Sequence, residues 1–263
     1  MLILNNLDPE LFNYGIIHIR WYGLFFLIGI TLSYLITRWA FKKNKFPFED
    51  LESIALYLFI GLIVGARLGH VIFYEPLYYL QNPSQLLAVW NGGLSSHGAT
   101  IGLVLAFLLW SAIHKVKFSK YADLFALGMP VAAMFVRIGN YFNSEIYGTK
   151  TDGPFGVVFA RLGEDFPRHP AQLYEADLLL LTFIILFFVY KKYWKKLPSL
   201  FITFSFMFLY FTGRFFIEFV KDLHGLPADF PLSTGQVLSI LPVLLAIGYF
   251  LVIICKRLRC LKN

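Results

Sequence analysis

Arg67, Arg137 and Arg214 stand inside apolar stretches of a 263-residue chain, each toward the C-terminal end of its stretch. A polar residue follows each within four positions: His70, Asn140 and Glu218. A charged side chain in the hydrocarbon core costs at least ~2.5–3.5 kcal/mol on insertion scales, so charges on three separate spans point to function. The guanidinium is a planar, permanently charged fork that fits a phosphate bidentately. The phosphate that a membrane offers is a lipid headgroup.

Composition sets these arginines in a membrane. The chain is 58% hydrophobic and 15% charged, with mean hydropathy +0.64, which excludes a soluble domain and implies an all-α polytopic membrane protein. The net charge of +7 is read as a topology signal carried by loops, with no nucleic-acid partner. Cys255 and Cys260 lie in a basic C-terminal tail and form neither a disulfide framework nor a metal-binding spacing. The first 20 residues contain Asp8 and Glu10 and lack a basic start before an apolar run, so no cleavable signal peptide is expected.

About seven transmembrane helices are expected, near residues 21–39, 53–74, 94–113, 121–140, 172–190, 199–219 and 234–255. Each has the roughly 20 residues that a ~30 Å hydrocarbon core requires. Lys and Arg cluster after the first, third, fifth and seventh spans, including Arg38, Lys42, Lys115, Lys117, Lys191, Lys192, Lys256 and Lys262. Arg20, Lys150, Arg161, Arg168 and Lys221 fall on the other side. The positive-inside rule then puts the N-terminus outside and the C-terminus in the cytoplasm. Residues 1–263 are expected to form a single membrane domain, with 141–171 as a small external cap loop in which Phe155–Ala160 forms a short strand.

This topology predicts a shared level for the polar residues. Spans two, four and six run outward, so Arg67, His70, Arg137, Asn140, Arg214 and Glu218 come late and lie in the outer half. Spans one, three and seven run inward, so Trp21, Tyr22, His97, Ser233 and Gln236 come early and lie there too. Arg137, Asn140 and Tyr141 share a helix face, as do Tyr210, Arg214 and Glu218. Arg214 with Glu218 also reads as an intrahelical ion pair, and Arg67 with His70 or Glu75 as a structural group. Asp123 is a helix-start residue, ~21 Å of helix from Arg137 and outside the site. The segment Asn91-Gly-Gly-Leu-Ser-Ser-His97 leads into the third span, and its two glycines permit a tight re-entrant turn. His97 is read equally as a base and as a hydrogen-bonded structural group. The densest polar run, Arg137-Ile-Gly-Asn-Tyr-Phe-Asn-Ser-Glu-Ile-Tyr-Gly148, supplies Asn140, Asn143 and Glu145 to hold a headgroup or brace Arg137.

These residues carry a resemblance. The chain resembles the bacterial phosphatidylglycerol–prolipoprotein diacylglyceryl transferases through the signature Gly-Arg-x-Gly-Asn-x-x-Asn-x-Glu-x-x-Gly. Here it runs from Arg137 through Gly139, Asn140, Asn143 and Glu145 to Gly148, with Val136 in place of the opening glycine. Ile19-Arg-Trp-Tyr-Gly23, Gly92-Gly-Leu-Ser-Ser-His-Gly98, Arg168-His-Pro-Ala-Gln-Leu-Tyr-Glu175 and Gly213-Arg-Phe-Phe-Ile-Glu218 also fit, with Ala99 where a glycine is usual.

The resemblance implies transfer of the diacylglyceryl group of phosphatidylglycerol to the lipobox cysteine thiol of a prolipoprotein signal peptide, in the bacterial cytoplasmic membrane. A thioether forms, glycerol phosphate leaves, and the step opens lipoprotein maturation. It also implies that the essential arginines are Arg137 and Arg214, and that Tyr22 and His97 are the essential tyrosine and histidine. His97 is the candidate base, Arg137 and Arg214 grip the departing phosphate, and Arg67 is a further contact. Glu145 and Glu218 orient the arginines, while Asn140, Asn143, Gly148 and Tyr22 contribute to substrate binding. Membrane lipids are further partners. No metal or other cofactor is expected, since the protein supplies the cations. A transporter of a phosphorylated solute and a different phospholipid headgroup transferase are the rival readings.

Overall fold

The computed structural model describes residues 3–15, 17–88, 92–222 and 231–260. Asn91, which opens the glycine segment, and Lys262 of the tail lie outside the described residues. Three short strands come first: β1 (Ile3–Asn5), β2 (Glu10–Tyr14) and β3 (Ile17–Arg20). Helices α1 (Trp21–Asn44), α2 (Phe48–Phe73), α3 (Pro76–Gln81), α4 (Ser96–Ile113) and α5 (Ala122–Phe142) follow. Strand β4 (Val157–Phe159) precedes α6 (Ala171–Tyr193), α7 (Phe201–Ile217) and α8 (Thr234–Cys260). Seven of these helices, all but α3, are long and apolar enough to cross a membrane, and each matches one expected span. Helix α2 starts at Phe48 rather than near residue 53, because Glu49 and Asp50 sit in its first turn, where acids suit the helix dipole. Helix α8 runs past residue 255, with Arg257 and Arg259 in its last turn, where cations suit it.

Contacts divide the chain into two compact units. The first comprises Met1–Thr37 and Ala122–Asn263, and the second Arg38–Tyr121.

In the first unit α5 is the most enclosed helix, burying Ala122, Leu124, Ala126, Leu127, Gly128, Pro130, Val131, Gly139 and Asn140. Lipid tails are as apolar as leucine, so packing rather than water exclusion holds such helices, and small residues let the backbones approach. The Thr37 hydroxyl donates to Ser33 O at 2.9 Å and to Leu124 O at 3.4 Å, tying α1 to α5. Asp123 lies in the first turn of α5, as expected of a helix-start residue, but the helix whose backbone it caps is α7. Its Oδ1 accepts from Thr203 N at 2.8 Å and Thr203 Oγ1 at 2.7 Å.

The expected strand in 155–160 is present as β4, and its partner is the N-terminal β1. They pair in parallel, with Ile3 opposite Val157 and Asn5 opposite Phe159. Asn5 Nδ2 donates to Tyr141 O at 3.0 Å, fastening the strand to the end of α5. Strands β2 and β3 form an antiparallel hairpin. The cap is thus built from both the N-terminal residues and the 141–171 loop. Arg168 pins it. Its guanidinium bonds Glu164 at 2.5 and 2.6 Å, Asp222 at 3.0 Å and Gly148 O at 3.2 Å. The rings of Tyr147 and Phe166 flank it at 4.8 and 5.0 Å. The hydrogen bonds from Arg168 hold the Glu164 carboxyl below the usual carboxylate range.

In the second unit, Gly61, Gly65 and Gly69 of α2 lie against Gly98, Gly102 and Ala106 of α4. A Cβ at Gly65 would sit 2.7 Å from Gly102 Cα, so this crossing requires glycine. Further along, Trp110 Nε1 donates to Ser53 Oγ at 2.9 Å, and the Tyr121 hydroxyl donates to the Asp50 carboxylate.

Candidate active site

One end of the first unit gathers the start of α1, the end of α5, the start of α6, the end of α7 and the start of α8. Its centre is Glu175, the last residue of the Arg168–Glu175 motif. Glu175, in the first turns of α6, is fully buried. Its Oε2 lies 2.7 Å from Arg137 Nε and 3.1 Å from Arg214 Nη1, and it accepts from the Tyr210 hydroxyl at 3.2 Å. Its Oε1 pairs with Lys221 Nζ at 2.7 Å. Two guanidiniums from different helices therefore meet on one carboxylate oxygen, and an ammonium holds the other.

This arrangement corrects two readings. Arg214 pairs with Glu175 rather than with Glu218. Glu218 turns to Lys221, 3.4 Å away, and its carboxylate lies against Gly235 at the start of α8, where a Cβ would displace it. The second correction concerns Lys221, read as one of the outside loop cations. It is 6% exposed and belongs to the cluster. The helical step of four placed Glu218 near Arg214 but carried no information about α6. A charge taken out of water needs an opposite charge beside it, and the early turns of the neighbouring span offer two acids, Glu175 and Asp177, of which the structure buries Glu175 and leaves Asp177 exposed.

The signature run continues the cluster outward. Arg137 Nη1 donates to Asn140 Oδ1 at 3.4 Å, and Asn140 Nδ2 donates to Glu145 Oε2 at 3.2 Å. Asn143 Nδ2 donates to Glu145 Oε1 at 3.2 Å. Gln172 Nε2 fixes the backbone at Glu145 O, 2.6 Å away. Glu145 therefore reaches Arg137 through Asn140. Tyr22 packs against Gly139, where a Cβ would lie 2.9 Å from the ring, so the signature's internal glycine is what lets α1 approach α5. Gly148 N donates to His169 O at 2.7 Å, and Gly148 bridges Lys221, closing the run back onto the clamp.

Arg67, His70 and His97 belong to the second unit. Arg67 is 5% exposed and pairs with no carboxylate among the described residues. Its Nε donates to Leu86 O at 3.0 Å, and Nη2 donates to Gln85 O at 2.5 Å and Ala88 O at 3.2 Å. Its Nη1 donates to Gly92 O at 2.7 Å and Gly93 O at 3.1 Å, and the guanidinium covers the Tyr79 ring at 5.0 Å. Gly92 and Gly93 adopt φ +84° and +70°, the left-handed turn that the glycine pair was expected to permit. Arg67 thus organises the approach to α4. His70 lies 3.8 Å from Glu75 and stacks on Tyr74. His97, in the first turn of α4, is exposed and hydrogen-bonds no described residue. Among the described residues no group of three His, Cys, Asp or Glu side chains is placed to hold a metal ion.

Seven apolar helices and a cation-rich cluster around buried Glu175 at one end of the first unit define a polytopic membrane protein with a site for chemistry near the ends of its spans. A family model described as prolipoprotein diacylglyceryl transferase matches residues 9–252. Among similar proteins is the phosphatidylglycerol–prolipoprotein diacylglyceryl transferase of Tolumonas auensis, 41% identical over 243 residues, 92% of this chain and 93% of the relative. Those of Bacteroides fragilis (37% over 265 residues, 96% and 95%) and Chloroherpeton thalassium (38% over 246 residues, 92% and 91%) are also similar. The chain belongs to the prolipoprotein diacylglyceryl transferase family and is a transferase.

Proposed function

We propose that the protein moves the diacylglyceryl group of phosphatidylglycerol onto the lipobox cysteine of a prolipoprotein signal peptide. The observation that carries this reading is the convergence of Arg137 and Arg214 on one oxygen of buried Glu175. The cysteine thiol gives up its proton, and its sulfur attacks the glycerol carbon that bears the phosphate ester. The carbon–oxygen bond breaks with its electron pair on oxygen. A phosphodiester monoanion becomes glycerol phosphate, a monoester with a second negative charge. Fixed cations stabilise that charge as it develops and need no reorganisation to do so.

Asn140, Asn143 and Glu145 brace Arg137 and, with Gly148 and Tyr22, shape the headgroup site. Glu218 acts on the clamp through Lys221. Arg67, with all five N–H groups bonded to backbone carbonyls, holds the chain before α4 and leaves the phosphate to the other two arginines. The protein lies in the bacterial cytoplasmic membrane with its N-terminus outside, because its loop cations concentrate on one side, so the clamp faces the outer leaflet.

The direct test is incubation of the purified protein with phosphatidylglycerol and a lipobox peptide, followed by mass spectrometry. The expected peptide gains one diacylglyceryl group on sulfur. An unmodified peptide, with solute flux in liposomes instead, would favour the transporter reading.

His97 is the proposed proton acceptor, since an imidazole nitrogen can take the proton of the attacking thiol. Its exposed ring, with no described hydrogen-bond partner, leaves a nitrogen open for that task. His97→Gln is expected to lower the rate by about 10²-fold or more near neutral pH and to lose the smallest part at alkaline pH, where the thiol ionises unaided. A wild-type rate across the pH range would remove His97 from the role.

A further inference from the structure

The geometry points to Glu175 as the positioning residue of the phosphate clamp, setting the spacing of Arg137 and Arg214 and limiting how tightly the clamp holds the departing phosphate. This rests on the transfer reaction proposed above. Arg137 and Arg214, half-buried, and buried Lys221 form a cluster in which like charges repel, and Glu175 is the group that all three share. One oxygen touches both guanidiniums and the Tyr210 hydroxyl, which fixes their separation. Lys221 holds the other oxygen and pairs with Glu218, so the carboxylate is kept from turning.

The same contacts leave donors over. Arg214 gives Glu175 and Tyr210 its Nη1 alone, and its Nε and Nη2 bond no described residue. A clamp held in place with some donors unspent is prepared for an incoming anion.

Charge balance gives the second half of the inference. Counting the groups in direct ion-pair contact, Arg137, Arg214 and Lys221 against Glu175 and Glu218 leave a surplus of one positive charge, with Glu145 one residue removed behind Asn140. That surplus matches a phosphodiester monoanion. Removing the charge of Glu175 raises it by one, which matches the monoester dianion that must leave. Without Glu175 the arginines are both misplaced for the reaction and over-attractive to its product.

The test uses the full-length enzyme in detergent with phosphatidylglycerol and a lipobox peptide, adding glycerol phosphate as inhibitor. Thioether formation by the wild type checks the underlying reaction separately. Glu175→Gln keeps the shape and removes the charge. It is expected to lower kcat by about 10²-fold and to tighten inhibition by glycerol phosphate by about 10-fold. A merely structural role lowers activity with inhibition unchanged or weakened, and that result, or a wild-type kcat, overturns the proposal. Glu175→Asp keeps the charge and shortens the reach by one methylene, so it stands as an independent arm if the glutamine variant does not fold. It is expected to lower kcat by about 10-fold with inhibition as in the wild type, and a wild-type kcat here overturns the positioning role.

Discussion

Arg137→Ala and Arg214→Ala are each expected to lower thioether formation by about 10³-fold or more while the protein still inserts in the membrane, since single oxyanion donors alone account for ~10²–10³ in rate. Each arginine is a fixed cation near the site where the leaving oxygen takes up charge, and each also neutralises Glu175. Truncation removes the first effect and disturbs the second by leaving the carboxylate with one guanidinium fewer. The loss should fall on kcat more than on KM, because the interaction strengthens as the second phosphate charge appears. Lysine is a milder test. It keeps the charge but not the fork, so Arg137→Lys cannot make the Nε contact to Glu175 and the Nη1 contact to Asn140 together. A loss of about 10–10²-fold is expected for the lysine variants. The measurement is single-turnover transfer to a lipobox peptide, with insertion checked by membrane fractionation. Full activity in either alanine variant removes the clamp from the mechanism.

Much of this protein was legible in its sequence, and the limits follow from the physics of each signal. The spans were readable because each is a continuous apolar run of membrane length, and all seven appear as helices. Strand β4 was readable because Val157-Val-Phe159 is a short apolar run among turn residues. Strand β1 was not, since three residues have too little pattern and their pairing with β4 spans more than 150 positions. Arg137 and Arg214 announced themselves by being charged in apolar surroundings. Glu175 did the same less plainly, because it stands near the start of its helix, where an acid also serves the dipole. Lys221 follows the end of α7 and looks like any loop lysine; the bridge between Gly148 and Lys221 is a tertiary fact. Arg67 had the same sequence context as the other two and a different fate, because what it meets is the backbone of Gln85, Leu86, Ala88, Gly92 and Gly93. An intramembrane arginine demands a partner without saying whether that partner is substrate, carboxylate or carbonyl.

Arg67 offers the sharpest separation of structure from chemistry. Arg67→Ala is expected to destabilise the second unit by roughly 3–5 kcal/mol, because a buried acceptor left without a donor costs ~1–3 kcal/mol and relaxation recovers part of the sum. Five carbonyls, from Gln85, Leu86, Ala88, Gly92 and Gly93, lose the arginine together, and that of Gln85 keeps a second donor in Ala88 N at 3.1 Å. The Tyr79 ring loses the cation that covers it. Lysine retains the charge but has three donors in place of five, so Arg67→Lys should recover only part of the loss. The readouts are thermal unfolding in detergent and protease sensitivity of the segment between α3 and α4, which should rise in step with lost stability. Activity should fall with the fraction of protein unfolded, while the molecules that remain folded keep the wild-type KM for phosphatidylglycerol. An alanine variant of unchanged stability whose KM for the lipid rises at least about 10-fold would return Arg67 to the phosphate. The structure argues otherwise: a guanidinium whose five donors all serve backbone carbonyls has none to lend a substrate.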